Sequence, residues 1–257
     1  MKTSLVCHTQ NAPIYTEPPG RVGIVNREEY IKSLTAVFSL VDVLSNKNEC
    51  RVLRLRHRKS GKDMVLRSYP RQLEAYETLL KIRCENLPEI LDVINLEDGQ
   101  IVLEEYISGI TIAQVMETHR YRKQGVQRVM QALCHGLQVL HERNLVHRDI
   151  KPENIIISDQ GKVVLIDFNA SRTVGQGSRD TMIMGTVGYV APEQLGLSQT
   201  DARTDIYAAG VLYNVMLTGQ HPSVEIATGR AGRIVRKCTA VNPNERYQTA
   251  AALRAAL

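Results

Sequence analysis

The sequence contains no tryptophan and only two phenylalanines, Phe38 and Phe168. Cysteine is scarce. The five residues lie at positions 7, 50, 84, 134 and 238, an odd number with no C-x-x-C pair. That argues against a disulfide framework or a zinc site and fits a reducing, cytoplasmic setting. No apolar run approaches the ~18–20 residues that span a bilayer, so no membrane span is expected. The opening stretch, MKTSLVCHTQ, lacks the apolar core of a signal peptide. Neither sign of charge dominates: 32 Lys and Arg against 27 Asp and Glu leave +5. So weak a positive balance pulls only slightly on anionic partners, and no nucleic-acid partner is expected. What is present is 257 residues, 43% hydrophobic and 23% charged. That is an ordinary globular composition, with enough chain for one large domain or two lobes sharing a core.

Residues 1–33 read as an N-terminal extension, because Pro13, Pro18, Pro19 and Gly20 favour extended or turn backbone. Three short antiparallel strands follow, FSLVDVL, RVLRLRH and KDMVLRSY, separated by the turn-rich SNKNEC and RKSG. Residues 71–84 are helical in period, with Leu73, Tyr76, Leu79, Leu80 and Ile82 on an irregular apolar face. Two more strands meet at Asp98–Gly99, a hairpin signal. Beyond Gly109 the pattern turns helical. Val126, Val129, Met130, Leu133, Leu137 and Leu140 recur at helix spacing, and IYAAGVLYNVML is apolar nearly all round, as suits a central helix. The division is therefore a small β-rich lobe over 34–108 and a larger helical lobe over 109–257. A cleft between two such halves is a natural ligand site.

The chemistry sits in two short motifs. His147-Arg148-Asp149-Ile150-Lys151-Pro152-Glu153-Asn154 places a carboxylate, a lysine and a carboxamide just before a short strand. Asp167-Phe168-Asn169 follows the apolar run VVLI. Two carboxylates and a carboxamide in one cleft can hold Mg²⁺ through hard oxygens and still leave one carboxylate to orient a hydroxyl. The lysine can neutralise a transferring phosphate, which completes what phosphoryl transfer needs.

With these motifs the sequence resembles the eukaryotic-like Ser/Thr protein kinase family, in its bacterial form. HRDIKPEN is similar to the catalytic loop, DFN to the DFG motif, and GTVGYVAPEQ to the end of the activation segment. TDIYAAG is similar to the start of the buried helix that anchors the loop, and NPNERY to the motif whose arginine pairs with the APE glutamate. The resemblance implies an α+β bilobal kinase fold, ATP and Mg²⁺ as cofactors, and a protein substrate or partner. It implies that Asp149 is the catalytic base and that Lys151 contacts the transferring phosphate, with Asn154 and Asp167 as magnesium ligands. It further implies that Val52, Val65 and Ile156 line the adenine site, that Glu105 and Ile107 offer hinge backbone groups, and that Glu74 is the helix carboxylate, with Glu77 as fallback. His147, Arg148, Phe168, Glu193, Asp205 and Arg246 take structural roles. Thr186 is expected to bond near Asp149 and Lys151, and Thr181 to receive a phosphate that meets Arg148.

Four features depart from the family. Ser45–Cys50 fills the place of the glycine-rich loop without a glycine, and glycines there let backbone N–H groups close on phosphates. Arg67 replaces the strand-three lysine, keeping the charge but not the shape. It can contact phosphate or be held by Glu74 or Glu104, and Arg54 is a second candidate for phosphate. Val65 takes the place of a smaller residue over the adenine. About eight residues separate Pro222 from the next helix, where the family has a helix that docks substrates; the N-terminal extension is a candidate to cover the exposed surface. Cys50 in the would-be phosphate loop is a candidate reactive thiol. The basic hairpin 51–67, with Asp63 its lone acid, is a candidate contact for an acidic partner. His8, His57, His119, His135 and His141 show no ligand spacing. The expected activity is slow transfer of the ATP γ-phosphate to Ser or Thr hydroxyls. The alternative is a pseudokinase that binds a nucleotide or partner without transfer.

Overall fold

The computed structural model of the chain describes residues 27–47, 50–119, 121–175, 186–196 and 199–257. Helix α1 (Arg27–Val37) runs through the expected boundary at residue 33 and leads into an antiparallel sheet. Its strands are β1 (Phe38–Lys47), β2 (Cys50–His57), β3 (Asp63–Tyr69), β4 (Ile90–Leu96) and β5 (Gly99–Glu105), in the spatial order β1-β2-β3-β5-β4.

Strand alternation gives this sheet two different faces. Met64 and Leu66 point to one side, where Phe38, Leu55, Ile101 and Leu103 form an apolar cluster against Tyr30 and Leu34 of α1. Val65, Arg67 and Tyr69 point to the other. There Tyr69, Val93 and Val102 join the main core. The register pairs Val65 with Glu104 and Arg67 with Val102, so all four belong to the inner face.

The segment read as a helix over 71–84 is helical only at α2 (Ala75–Leu79). Around it the chain makes single turns with i→i+3 bonds, such as Tyr76 N to Leu73 O at 3.2 Å and Ile82 N to Leu79 O at 2.9 Å. The reason lies in its apolar residues. Leu73, Tyr76, Leu79 and Ile82 are all buried and spaced by three, which fits tight 3₁₀-like turns better than a 3.6-residue period.

The second half begins with β6 (Gly109–Thr111) and α3 (Ile112–Thr118), whose start is fixed by a capping box between Thr111 and Gln114. Helix α4 (Lys123–His141) buries the periodic set from Val126 to Leu140. The short strands β7 (Leu145–Val146), β8 (Ile155–Ser158), β9 (Val163–Leu165) and β10 (Arg172–Thr173) follow, with β8 between β6 and β9, and β7 against β10. Helix α5 (Ala202–Thr218) opens on the cap of Asp201 and lies in the core. Helices α6 (Gly229–Cys238) and α7 (Ala250–Ala256) close the lobe. Gly210 lets α5 and α6 approach: a Cβ there would sit 2.2 Å from the Cβ of Cys238. Residues 222–228 contain no helix; Val224 and Glu225 donate to His221 O in a turn.

Candidate active site

β7 delivers the chain into the loop His147–Asn154. Arg148 adopts φ of 69°, a left-handed conformation that L side chains rarely take. Asp205 of α5, fully buried, holds it there. Its Oδ1 accepts from Arg148 N at 2.8 Å and its Oδ2 from His147 N at 2.9 Å. His141 Nε2 donates to the same Oδ2 at 2.8 Å. Burial pushes the Asp205 carboxyl up, but His141 and the backbone donors outweigh it and leave the group below the usual carboxylate range. Gln194 Nε2 adds a bond to Arg148 O at 2.9 Å.

His147 is buried, and burial lowers its pKa, so the ring is neutral at pH 7. Its Nδ1 accepts from Asp149 N at 3.3 Å, which leaves Nε2 to donate to Ile166 O at 3.2 Å. The ring meets Phe168 edge-on, with centroids 5.2 Å apart. Both ring nitrogens are thus engaged within the fold.

Asp149 is the hub of the exposed end. Its Oδ1 accepts from the Thr186 hydroxyl at 2.9 Å. Its Oδ2 lies 2.8 Å from Lys151 Nζ and 2.9 Å from Asn154 Nδ2. Lys151 also donates to Thr186 Oγ1 at 2.8 Å, and Asn154 Nδ2 to Asp149 O at 2.9 Å. Burial raises the Asp149 carboxyl, but Lys151 and then Thr186 more than offset it, so its pKa falls below the ordinary value. The group is an ionised acceptor at neutral pH. Asp167, also left-handed at φ 69°, enters from beyond β9, where Ile166 N donates to Asn154 O at 2.8 Å.

Across from it, Arg67 is 7% exposed and Glu104 is 2% exposed. Arg67 Nε donates to Glu104 Oε1 at 2.7 Å, and Nη1 reaches Asp167 Oδ1 at 3.5 Å. Burial lifts the Glu104 carboxyl above its ordinary value although Arg67 pulls it down. Val52 and Val65 are buried beside this pair, while Ile156 and Ile107 are half-buried and Glu105 is exposed at the end of β5. Farther off, Arg246 Nη1 and Nη2 clamp Glu193 at 2.6 and 2.8 Å, with both side chains buried. Thr204 Oγ1 completes that anchor at 2.9 Å.

The protein kinase domain profile matches residues 47–252. The chain belongs to the protein kinase family. Serine/threonine-protein kinase PknL of Mycobacterium tuberculosis is 34% identical, over 63% of this chain and 47% of that protein. Serine/threonine-protein kinase PknB of the same organism is 30% identical, over 61% of this chain and 29% of that protein. PknB of Mycobacterium leprae matches at the same identity and coverage. The chain thus spans about half the length of the PknL proteins it matches and under a third of the PknB proteins. Like the family, it has a β-rich first lobe and a helical second lobe.

Within that kinase frame the structure separates the expected site residues. It joins Asp149, Lys151, Asn154 and Thr186 in one hydrogen-bonded set, and it links Asp167 to Arg67. It leaves Glu74 outside. Glu74 is exposed at the start of α2, because Leu73 and Tyr76 take the buried positions of those turns. Glu77 is exposed too, and its Oε1 accepts from Asn95 Nδ2 at 3.0 Å. Of the acids weighed for Arg67, Glu104 is its partner. Arg54 is engaged by Asp63, its Nε donating at 2.8 Å, and its guanidinium lies 4.2 Å over the Tyr106 ring. Asp63 also takes Arg56 at 2.6 Å, so the lone acid of the basic hairpin serves two arginines. Thr181 lies outside the described residues. The sequence does not reveal that His141 and Gln194 brace this loop, because no local spacing marks either role: their partners are 64 and 46 residues away.

Among the described residues no three His, Cys, Asp or Glu side chains gather into a ready-made metal cluster. The oxygens of Asn154 and Asp167 still fit Mg²⁺, which takes one or two protein oxygens and completes its shell with phosphates and water.

Proposed function

We propose that this chain transfers the γ-phosphate of ATP to Ser or Thr hydroxyls of a protein substrate. The observation that carries the reading is the state of Asp149: ionised, and held by Lys151, Asn154 and Thr186 within one short loop. A substrate hydroxyl beside Asp149 would donate its hydrogen bond to a carboxylate oxygen, which aims the oxygen lone pair at phosphorus and accepts the proton as the bond forms. Lys151 offsets charge on the transferring group. Asn154 and Asp167 are the residues to hold Mg²⁺, which neutralises the phosphates when bound. Glu105 and Ile107 supply backbone groups to the base, and Val52, Val65 and Ile156 its apolar walls. The four cysteines among the described residues are unpaired, in keeping with a cytoplasmic setting, and no helix there is long and apolar enough to cross a membrane.

A second reading, a nucleotide- or partner-binding pseudokinase, is favoured by one feature. Arg67 is already committed to two carboxylates. Incubation with radiolabelled ATP, Mg²⁺ and a generic Ser/Thr substrate separates the readings. We expect label on wild-type protein or substrate, and none with Asp149→Asn. ATP binding without label in the wild type would select the pseudokinase.

A further inference from the structure

We propose that Glu104 is the positioning residue for Arg67, and that it anchors this cation from within the sheet in place of a carboxylate on α2. The proposal rests on the phosphotransfer reading and adds a device to it.

The register makes the pair. β3 and β5 run antiparallel, with Val65 opposite Glu104 and Arg67 opposite Val102. Arg67 and Glu104 are therefore diagonal neighbours on one face, a separation that long side chains bridge. Adjacent strands are tied by ladder hydrogen bonds, so the distance between these two residues is fixed by the sheet itself. Nothing comparable comes from α2. Its one acid, Glu77, is exposed and held by Asn95, and Glu74 just before it is exposed too. α2 instead buries Ala75, Tyr76 and Leu79, and the Tyr76 hydroxyl meets that of Tyr69 at 2.6 Å. Tyr69 follows Arg67 by two on the same face of β3. The helix thus presents a phenol to the sheet where a carboxylate would be needed.

Arginine suits the task because its fork divides between two acceptors. Nε goes to Glu104, and Nη1 points to Asp167 in the other lobe. A lysine carries its three donors on a single nitrogen, so both acceptors would have to converge on one point. The second oxygen of Glu104 is buried and makes no hydrogen bond, an unfavourable state that an apolar residue would avoid. The carboxylate persists there through its hold on Arg67. A shift of α2 would then leave the cation in place, whereas loss of Glu104 would release it.

Calorimetry with ATP and with adenosine, which lacks phosphate, tests this on the full chain. Glu104→Gln keeps the size of the side chain and removes its charge. We expect it to weaken ATP about tenfold, as loss of a charge-assisted hydrogen bond would, and to leave adenosine unchanged. Glu74→Gln should change neither. A merely structural role for Glu104 would move both ligands together. ATP affinity retained in Glu104→Gln, or lost in Glu74→Gln, overturns the anchor. If the wild type binds no ATP, the phosphotransfer reading falls, and melting temperatures of Arg67→Met, Glu104→Gln and the double variant decide the pairing. Non-additive shifts support it, and additive shifts refute it.

Discussion

Asp205→Asn is the sharpest single test of how the catalytic loop is held. The carboxylate is fully buried and accepts three hydrogen bonds, from His147 N, Arg148 N and His141 Nε2. A carboxamide of the same shape keeps one acceptor oxygen and turns the other into a donor. If the oxygen stays with Arg148 N, the new NH₂ faces the His147 N–H. That amide then has no acceptor, which costs about 1–3 kcal/mol. His141 can offer its other tautomer and loses only the charge assistance. Losing the charge from the Arg148 bond costs about 1 kcal/mol more, because bonds to ionised groups are roughly twice as strong as neutral ones. The sum is about 3 kcal/mol. For a chain of this size that lowers Tm by roughly 6–12 °C. Arg148 sits at φ 69° because Asp205 and Gln194 hold it. Once loosened, the loop moves Asp149 away from Thr186, its partner outside the loop. We therefore expect kcat to fall by more than ATP affinity, because of the groups proposed for the nucleotide and its Mg²⁺ only Asn154 lies in this loop. Thermal melting followed by circular dichroism and steady-state kinetics read the two effects. A Tm within about 2 °C of wild type, with kcat intact, would refute the reasoning, since the three bonds would then contribute nothing beyond ordinary scatter among surface substitutions.

Val65→Ala opens space on the inner face beside Glu104. Calorimetry should show ATP bound more tightly, by about 1 kcal/mol, as relief of overpacking in a preformed pocket provides. An unchanged Kd would remove Val65 from the adenine wall. Asp63 gives a pH signature. The hydrogen bond from Arg56, with further help from Arg54, lowers its carboxyl from 3.8 to about 2 against a smaller effect of burial. A carboxyl depressed in the fold adds stability above its unfolded pKa and loses that addition as pH falls through the folded one. Urea midpoints should therefore drop between pH 4 and about 2 more steeply in wild type than in Asp63→Asn. Parallel curves would show that the two arginines do not hold Asp63.

Where a stretch of sequence settles its own structure, that structure is legible in it. The strands of the first lobe are runs rich in β-branched and aliphatic residues bounded by turn signals, and α4 carries one apolar stripe at a single period, so neither needs knowledge of a distant partner. HRDIKPEN is similarly self-contained: Asp149, Lys151 and Asn154 lie within six residues, and the bonds among them are local. The α2 segment failed for a local reason too. Its apolar residues recur every three positions, and the tighter turn prevailed over the longer helix.

The Arg67 partner is a different kind of problem, because it turns on register. Glu74, Glu77 and Glu104 are all acids within reach of strand β3 in a coarse reading. Which one arrives is decided by single-residue shifts. A slip of one residue between β3 and β5 would send Glu104 to the outer face, into the cluster of Leu55, Leu66 and Ile101, where a carboxylate could not stay charged. The outer face is thus what fixes the inner one. Apolar Met64, Leu66 and Leu103 must all meet α1, and that requirement leaves Val65, Arg67, Val102 and Glu104 together on the cleft side. The same logic governs α2. Leu73 and Tyr76 must be buried for the lobe to have a core, so Glu74 turns outward. An ion pair at the centre of the site therefore follows from where aliphatic side chains have to go, and the exchange of a helix carboxylate for a strand carboxylate is legible only once both faces of the sheet are considered together.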